Sequence, residues 1–375
     1  MHGKSRSRIF GITAIAVGVM LATAGCTSTS ASTASHTSGS AAGKIKGSSS
    51  FNDAKLDELT KKIQSELSGK DLSSVKIAMV TNGNSSYWNE AKAGWNDAMK
   101  WLKKNGASGQ FEEPTQSTAS AQVSLLETLT TQGYSGWGVS AVTAQALTQP
   151  ISDATAKGLN VVAFDSPLPN TKAQFYIGTP NTDAGCNAGK AMTQAIGSGD
   201  VVAISGSLTA ANTQQRVAGF KKCMGSKVKV VQVLNDNQDV SKAVSSIQAA
   251  IQANPDIKGV YGVYSYDGGA AGQAVQAANK AGKITIIADD GESDTVSDVK
   301  SGLIAASILQ RPYYQGYMLA YSLAADKVLG ADAAEALIKP YFSSDGVLST
   351  GVGVMTKSNL SDFTDFWAKI GLKSQ

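Results

Sequence analysis

The chain of 375 residues carries 33 Lys and Arg against 29 Asp and Glu, a formal net charge of +4 that predicts no nucleic-acid-binding surface. Its two histidines, His2 and His36, lie near the start of the chain, so a Ser-His-Asp or Cys-His catalytic apparatus is excluded from the folded part. The sequence has no Cys and His cluster with zinc spacing and no Walker-type phosphate loop, so we expect neither a cofactor nor a metal; a carboxylate-based hydrolase is the enzyme class that stays open.

The first 26 residues have the composition of an export signal. Residues 4–8 are basic, residues 9–23 carry no charge, and Ala24-Gly25 precede Cys26. This order is typical of a lipoprotein signal over residues 1–25, after which Cys26 is lipidated. An apolar core of about 15 residues is short for a helix that crosses about 30 Å of hydrocarbon. An ordinary secretory signal or a short anchor stays open, because Thr23 stands where lipoprotein signals usually carry Leu.

Two segments of different character follow the export signal. Residues 26–50 are nearly all Ser, Thr, Ala and Gly without an apolar period, which predicts a disordered, flexible stalk. Residues 51–72 begin with an amphipathic stretch, which predicts an N-terminal helix packed on the domain that follows. The apolar residues at helical spacing are Leu56, Leu59, Ile63 and Leu67.

From residue 75 onward, short apolar runs alternate with longer stretches of helical period. The predicted strands are 75–80, 136–139, 159–164, 201–204, 228–234, 259–263 and 284–288. The predicted helices are 88–104, 119–132, 144–156, 183–196, 213–224, 240–253 and 269–281. This alternation predicts an α/β fold of doubly wound parallel sheets with helices on both faces. About ten such units are too many for one compact core, so we expect two lobes.

The residues just after the strands are candidates for a binding site, because ligands of this architecture bind beyond the carboxyl ends of the strands. Tyr87 and Trp88 follow the first strand and offer flat apolar faces to the C–H face of a sugar, or they cap the core. Asp165, Asp267 and Asp290 follow three later strands. Their carboxylates suit vicinal hydroxyls, although an Asp at a strand end also serves as a helix N-cap.

Arg216 lies early in the predicted helix 213–224. Its guanidinium has five donors in a fixed plane, which complement hydroxyl oxygens and carboxylates. Taken alone, an arginine on a helix is more often a solvated charge. Arg216 becomes a site candidate through the resemblance described below.

If Cys26 carries a lipid, two cysteines remain in the folded part. An oxidising compartment favours a disulfide between Cys186 and Cys223. Two separately buried thiols are the alternative, and the sequence leaves both open.

Several short sequence motifs follow one another in a definite order between residues 75 and 359. In chain order they are 76–80 followed by Tyr87-Trp88, the strand end at Asp165, 176–179 followed by Asn181 and Gly185, Arg216 before Gly219-Phe220, Asp289-Asp290-Gly291, and Gln310. This order resembles the periplasmic sugar-binding proteins of the ribose-binding type, which supply ABC importers. The resemblance implies a type I periplasmic binding protein clamshell, two lobes joined by three crossovers. The implied lobes are 73–180 plus 311–339 and 181–310 plus 340–375.

The same resemblance implies a ligand site between the lobes. Aromatic rings would stack on the ligand, the Asp and Arg side chains would clamp its hydroxyls, and a hinge-side amide would complete the site. The implied ligand contacts are Ser85, Tyr87, Trp88, Ser140, Asp165, Arg216, Gln238, Asp267, Asp290 and Gln310. The implied protein is a monomeric, extracytoplasmic lipoprotein without catalytic activity, which passes a small neutral sugar or polyol to an ABC permease.

Three departures from the ribose binders bear on the ligand. Ser166-Pro167 follow Asp165 where ribose binders have Arg, Gln238 replaces an aromatic residue, and Asp267 stands where many members have Asn. They suggest another pentose, a hexose or a linear polyol. Residues 113–142 also resemble the rhamnose and autoinducer receptors of this superfamily. A ligand-sensing receptor of the autoinducer or chemosensory type therefore stays open.

Overall fold

The computed structural model describes residues 45–375; the predicted export signal, Cys26 and the predicted stalk up to residue 44 lie outside the described residues. The strands are β1 (Lys76–Val80), β2 (Ser108–Glu112), β3 (Gly136–Val139), β4 (Asn160–Phe164), β5 (Tyr176–Gly178), β6 (Gly199–Ser205), β7 (Val228–Asn235), β8 (Gly259–Gly262), β9 (Thr285–Asp289), β10 (Ile304–Leu309), β11 (Val347–Ser349) and β12 (Gly353–Met355).

The helices alternate with these strands along the chain. They are α1 (Asp53–Leu67), α2 (Trp88–Lys104), α3 (Ala119–Thr131), α4 (Ala144–Ala156), α5 (Asn181–Ile196), α6 (Ala211–Cys223), α7 (Val240–Ala253), α8 (Asp267–Ala277), α9 (Ser293–Ser301), α10 (Pro312–Leu329), α11 (Ala331–Ile338) and α12 (Leu360–Lys369). Two 3-10 turns cover Lys339–Tyr341 and Lys357–Asn359.

The first lobe is built on a sheet of strand order β11-β5-β4-β3-β1-β2, in which every neighbouring pair is parallel. Alternate residues of β1 point to opposite faces. Ile77 and Met79 join a core formed with α1, α2 and α10, whereas Ala78 and Val80 join a core formed with α3 and α4. Because both faces are covered, the central strands read as continuous apolar runs, which is why the sequence predicts them well.

The second lobe repeats this plan with the strand order β12-β10-β9-β8-β6-β7, and only β12 is antiparallel to its neighbour in this sheet. Val202 and Ile204 of β6 pack under α7, α8 and α12, while Val201 and Ala203 pack against α5 and α6. Two doubly wound lobes confirm the predicted α/β clamshell.

The chain passes between the lobes three times: between β5 and α5, between β10 and α10, and between β11 and β12. The third passage corrects the sequence-based boundary at residue 340. Val347 pairs in parallel with Tyr176 of β5, so residues 340–349 belong to the first lobe. A three-residue strand after a long helix gives too short an apolar run to be located from sequence.

The ordered part of the chain begins before the predicted boundary at residue 51. Ile45 is buried in the core of the second lobe, and Ser48 pairs with Val354 of β12, so residues 45–50 are not part of a free stalk. The predicted helix is present as α1, and its apolar face lies in the core of the first lobe.

A disulfide joins Cys186 of α5 to Cys223 of α6, with 4.9 Å between the two Cα atoms. Of the two alternatives that the sequence left open, the structure has the bridge. It lies in the second lobe, between two helices packed on the same face of the sheet. In residues 45–375, the helices are each too short or too polar to cross a membrane.

Candidate functional site

The carboxyl ends of the strands of both sheets face a common cavity of about 290 Å³. Residues after β1, β2, β4, β6, β7, β8 and β9 line it, together with the second crossover. Eight of the ten predicted contacts lie in its wall: Ser85, Tyr87, Trp88, Asp165, Arg216, Gln238, Asp290 and Gln310. Ser140 and Asp267 do not reach it. The cavity therefore draws on both lobes, as the predicted site does.

Tyr87 and Trp88 form an aromatic corner at the start of α2. Both are nearly fully buried, and their rings meet edge to face with 4.8 Å between centroids. Trp88 also contacts Phe164 of β4 edge to face at 5.8 Å. Because the core holds these rings in place, the part of each that faces the cavity forms a preorganised apolar surface.

Asp165, directly after β4, is the acceptor of the first lobe. The Tyr87 hydroxyl donates to its Oδ1 at 3.0 Å, and the Ser140 hydroxyl donates to its Oδ2 at 2.6 Å. Burial raises the pKa of Asp165, while these two hydrogen bonds and the charge of Arg216 oppose the shift. Ser140 thus supports the acceptor from behind rather than lining the cavity.

Arg216, in α6, presents one unused donor to the cavity. Its Nε donates to Asn181 Oδ1 at 2.9 Å, and its Nη1 donates to Asp289 Oδ2 at 2.9 Å and to the Val263 carbonyl at 3.2 Å. Its Nη2 is buried and has no partner among the described residues. A buried donor without a partner is unfavourable by about 1–3 kcal/mol, which a ligand oxygen would relieve.

Asp289 neutralises Arg216 from outside the cavity. Burial raises the pKa of Asp289 to about 7, against the opposing effects of Arg216 and of the Tyr261 hydroxyl. The guanidinium is therefore oriented by a carboxylate that the ligand does not need to displace. Asp289 and Asp290 are neighbours in one of the family motifs, and of these two residues Asp290 lines the cavity.

Asp290 and Gln310 form the acceptor of the second lobe. Gln310 Nε2 donates to both carboxylate oxygens of Asp290, at 3.0 and 3.1 Å, and Gln310 Oε1 accepts from the Thr179 hydroxyl at 2.7 Å. Thr179 and Gln310 lie on two different crossovers. Burial raises the pKa of Asp290 well above its ordinary value, while the charge of Arg216 and the hydrogen bond from Gln310 oppose the shift.

Asp267 is placed differently from its prediction as a ligand contact. It is the first residue of α8, is fully buried, and its Oδ2 accepts the backbone N–H of Tyr264 at 2.8 Å. It therefore closes its own turn beneath the cavity wall. Tyr264, Ser265 and Tyr266 occupy the wall instead.

Sequence reasoning missed several cavity residues that lie in the loops after strands or at the start of the next helix. They are Asn82, Gly83, Asn84, Ser86, Ser117, Asn212, Val240, Tyr264, Ser265, Tyr266 and Glu292. Their position after β1, β2, β6, β7, β8 and β9 is a usable signal, because the loops at this edge converge. The tyrosines and amides in these loops neighbour the predicted carboxylates, as Tyr264 and Tyr266 neighbour Asp267.

A second cavity of about 480 Å³ lies beside the first crossover, lined by residues such as Leu168, Phe175 and Thr182. Its lining includes no buried side-chain donor or acceptor that lacks a partner in the described residues. The first cavity, with the unpaired Nη2 of Arg216, is thus better suited to a polar ligand.

Comparison with known proteins agrees with this geometry. A family model described as a periplasmic binding protein domain matches residues 75–331. The ribose import binding protein RbsB of Bacillus subtilis is 27% identical over 216 residues, which are 57% of this chain and 69% of that protein.

Two solved structures are similar over most of the chain. An ABC transporter solute-binding protein of Burkholderia graminis, in complex with D-arabinose, is 27% identical with a TM-score of 0.68 and covers 78% of this chain and 99% of its own. A chain of the XylFII–LytSN complex is 28% identical with a TM-score of 0.66 and covers 76% of this chain and 98% of its own.

Proposed function

On the premise that this chain belongs to the periplasmic binding protein domain family, as a sugar-binding member of the ribose-binding type, we propose a function in transport. The protein captures a small neutral sugar or polyol between its lobes and delivers it to an ABC permease. The observation that carries the proposal is the unpaired Nη2 of Arg216, held in a cavity with carboxylates from both lobes. A polyhydroxylated ligand offers acceptors to that donor and donors to Asp165 and Asp290.

The aromatic corner fixes the orientation of the ligand. The faces of Tyr87 and Trp88 suit C–H groups, while the carboxylates suit the hydroxyl edge of the same molecule. A cavity of about 290 Å³ is at the lower end of the range for ligand sites, which favours a monosaccharide or a short polyol.

Closure of the lobes supplies the selectivity in this mechanism. Asp165 belongs to the first lobe and Arg216 to the second, so a ligand makes both sets of hydrogen bonds only when the lobes are together. Gln310 lies on the second crossover and donates to the Asp290 carboxylate. A movement of the crossover during closure would therefore change the position of this carboxylate. No step makes or breaks a covalent bond.

We further propose that the protein works outside the cytoplasm as a monomer, attached to the membrane by a lipid on Cys26. Members of a periplasmic binding family act outside the cytoplasm, and the order of basic, apolar and small residues before Cys26 supports the lipid. Labelled palmitate should attach to the wild-type chain and not to Cys26→Ala. If neither protein is labelled, Cys26 carries no palmitate and the proposed membrane attachment is wrong.

The alternative function is a ligand-sensing receptor with the same clamshell. The similarity to a chain of the XylFII–LytSN complex supports it, because that chain assembles with a second, different protein. Co-purification of the ligand-bound protein with a membrane permease would favour transport. Co-purification with a membrane receptor instead would favour sensing.

A thermal-shift panel of pentoses, hexoses, deoxysugars, polyols and inositols tests the ligand class. A ligand at one hundred times its dissociation constant stabilises the folded state by about 2.7 kcal/mol, which gives a clear rise in melting temperature. Analysis of the same mixtures for products tests the absence of catalysis. The proposal fails if every carbohydrate leaves the melting temperature unchanged while a non-sugar solute raises it, or if any product forms.

A further inference from the structure

Two buried carboxyl groups lie beneath the part of the cavity wall formed by the second lobe. Asp236 follows β7 and Asp267 begins α8, and both are fully buried. Tyr266, whose hydroxyl donates to Asp236, directly precedes Asp267, so the two carboxyl groups lie close together in the fold. One oxygen of each, Asp236 Oδ2 and Asp267 Oδ1, has no donor among the described residues. Two ionised carboxylates in this arrangement would repel each other in a medium of low dielectric constant.

The other oxygens of the pair hold the wall in place. Asp236 Oδ1 accepts the Tyr266 hydroxyl at 2.7 Å and the backbone N–H of Gln238 at 2.8 Å. Asp267 Oδ2 accepts the backbone N–H of Tyr264 at 2.8 Å. The side chains of Tyr264, Tyr266 and Gln238 all line the cavity.

The backbone around Asp236 needs this support. Asn237 and Gln238 have φ values of 57° and 62°, in the left-handed region that is unfavourable for residues other than glycine. The bond from the Gln238 N–H to Asp236 is one of the contacts that holds this conformation. If Asp236 were displaced by repulsion from Asp267, the loop would lose that contact and Gln238 would leave the wall.

We propose that Asp236 and Asp267 share a single proton, as an acid and its carboxylate partner, and that this pair positions Tyr266 and Gln238 in the ligand cavity. One proton satisfies both unpaired oxygens, because Asp267 Oδ1–H then donates to Asp236 Oδ2 and the pair carries one negative charge instead of two. The role in ligand binding rests on the proposed function, whereas the shared proton does not.

The surroundings of the pair favour its protonated form. Burial and the negative charge of Asp236 raise the pKa of Asp267 well above its ordinary value, Asp289 adds to the shift, and the Tyr264 N–H opposes it. Tyr266 also faces Asp236, and burial raises the pKa of its hydroxyl, so this group stays a donor. The nearby cation Arg216 is engaged with Asp289.

The pair makes a distinctive prediction for amide substitutions. In Asp267→Asn, the amide group donates to Asp236 and its oxygen still accepts from Tyr264; in Asp236→Asn, the amide group donates to the ionised Asp267. Each single variant therefore keeps every hydrogen bond. In the double variant two NH₂ groups face each other, and one must turn away from its partners. The exposed Asp239→Asn in the same loop is the matched control.

Two readouts need no ligand. Asp289 and Asp290 also have raised pKa values, so the signal of the pair is read from infrared difference spectra at pH 7. Wild type minus Asp267→Asn should show the loss of one protonated carboxyl, and wild type minus Asp239→Asn should show none. Hydrogen exchange of the Gln238 amide should remain slow in both single variants and accelerate at least tenfold in the double variant. The shared proton is contradicted if wild type and Asp267→Asn give the same protonated-carboxyl signal. It is also contradicted if the Gln238 amide exchanges no faster in the double variant than in the single variants.

The third readout is affinity for D-ribose and D-arabinose. We expect it to change by less than about threefold in either single variant and to fall at least tenfold in the double variant. In wild type it should weaken at alkaline pH as the pair loses its proton, and in Asp267→Asn this weakening should be smaller, with only the part that Asp290 contributes remaining. If wild type binds neither sugar but the spectra and exchange behave as expected, the pair stands and the choice of ligand fails; if affinities fall equally in the single variants, its positioning role is wrong.

Discussion

The two lobes present the same backbone device to the cavity, but they support it differently. Asp165 follows β4 with φ 56°, and Asp290 follows β9 with φ 65°. Each N–H binds the carbonyl of the adjacent strand, at Ile177 and Ile308, so each carboxylate is turned out of its sheet in the same way. The carbonyl of Asp165 accepts the Tyr176 hydroxyl at 2.7 Å, as that of Asp290 accepts a serine hydroxyl.

The difference lies in what holds the carboxylates. Asp165 is held by two hydroxyls of its own lobe, from Tyr87 and Ser140, whereas Asp290 is held by the amide of Gln310 from a crossover. The first acceptor is therefore complete within its lobe, and the second depends on the hinge. We infer that ligand docks against the first lobe and that the second acceptor responds to closure.

The helix pairs behind the site are packed alike in the two lobes but differ in one covalent bond. A Cβ atom on Gly94 of α2 would lie 1.8 Å from the Tyr313 carbonyl, and one on Gly185 of α5 would lie 1.9 Å from the Arg216 carbonyl. Both pairs thus pack backbone against backbone, through glycine. The pair α5 and α6, which carries Arg216, also has the disulfide, whereas α2 and α10 have no such bond.

Removal of the disulfide should have the largest effect, and it should fall on the second lobe. In Cys186→Ala with Cys223→Ala, opening a loop whose ends are 37 residues apart lowers the free energy of unfolding by about 4 kcal/mol in the chain-entropy model. Chemical denaturation measures the loss. Hydrogen exchange should accelerate in α5 and α6 and not in α2 and α10. Equal acceleration in both helix pairs would contradict a stabilising effect that is confined to the second lobe.

A buried carboxylate joins the two lobes, and it should make stability depend on pH. Glu90 of α2 accepts the Trp367 indole N–H of α12 at 2.9 Å and the Tyr313 N–H at 3.2 Å. Burial raises its pKa from 4.5 to about 7. The folded protein therefore keeps a proton there that the unfolded chain releases, so this stabilisation is complete below about pH 4.5 and is lost as the pH rises through 7.

Glu90→Gln should reduce the difference in unfolding free energy between pH 5 and pH 8 by on the order of 3 kcal/mol. The exposed Glu127→Gln is the matched control and should leave the difference unchanged. Burial also raises the pKa of Asp289 to about 7, so part of the pH dependence should persist in the variant. An unaltered pH dependence in Glu90→Gln would remove Glu90 as its source.

The two acceptors should respond unequally to the same substitution. In Asp290→Asn the new amide group faces Gln310 Nε2, which can only donate, so we expect affinity for the sugar to fall about 100-fold. Isothermal titration calorimetry measures it. Because Asn tolerates a positive φ, the fold should persist, with the melting temperature of the free protein little changed.

In Asp165→Asn the new amide group meets the hydroxyls of Tyr87 and Ser140, which can rotate to accept as well as donate. The loss is then limited to the charge assistance of the hydrogen bonds, about tenfold in affinity. A loss in Asp165→Asn equal to or larger than that in Asp290→Asn would contradict the difference between the two acceptors.

Much of the fold could be predicted from sequence, because buried parallel strands such as β4 are continuous apolar runs. The elements that were missed lack a pattern. The edge strand β2 is mostly polar, and α10 is buried on most of its faces, so its apolar residues have no helical period. The strand β10 is fully buried but contains small residues that weaken its signal.

The candidate site was predictable to the level of the loop and not of the side chain. A strand-end Asp either faces the ligand or closes a turn, and the two roles have the same sequence pattern. Asp165 and Asp290 take the first role, and Asp267 takes the second. Asp267 accepts the backbone N–H of Tyr264, three residues before it, whereas Asp165 and Asp290 accept from Tyr87, Ser140 and Gln310. The last three partners are distant in sequence, so the sequence does not show which role an Asp takes.

The most direct test is calorimetric titration of neutral monosaccharides and polyols into wild-type protein and into the double variant Asp165→Asn with Asp290→Asn. Capture between the lobes predicts one ligand per chain in wild type and an affinity about 1,000-fold lower in the double variant, since the two separate losses add in free energy and both acceptors have lost their charge. Undiminished affinity in the double variant, or a wild-type protein that binds only non-carbohydrate solutes, would contradict the account.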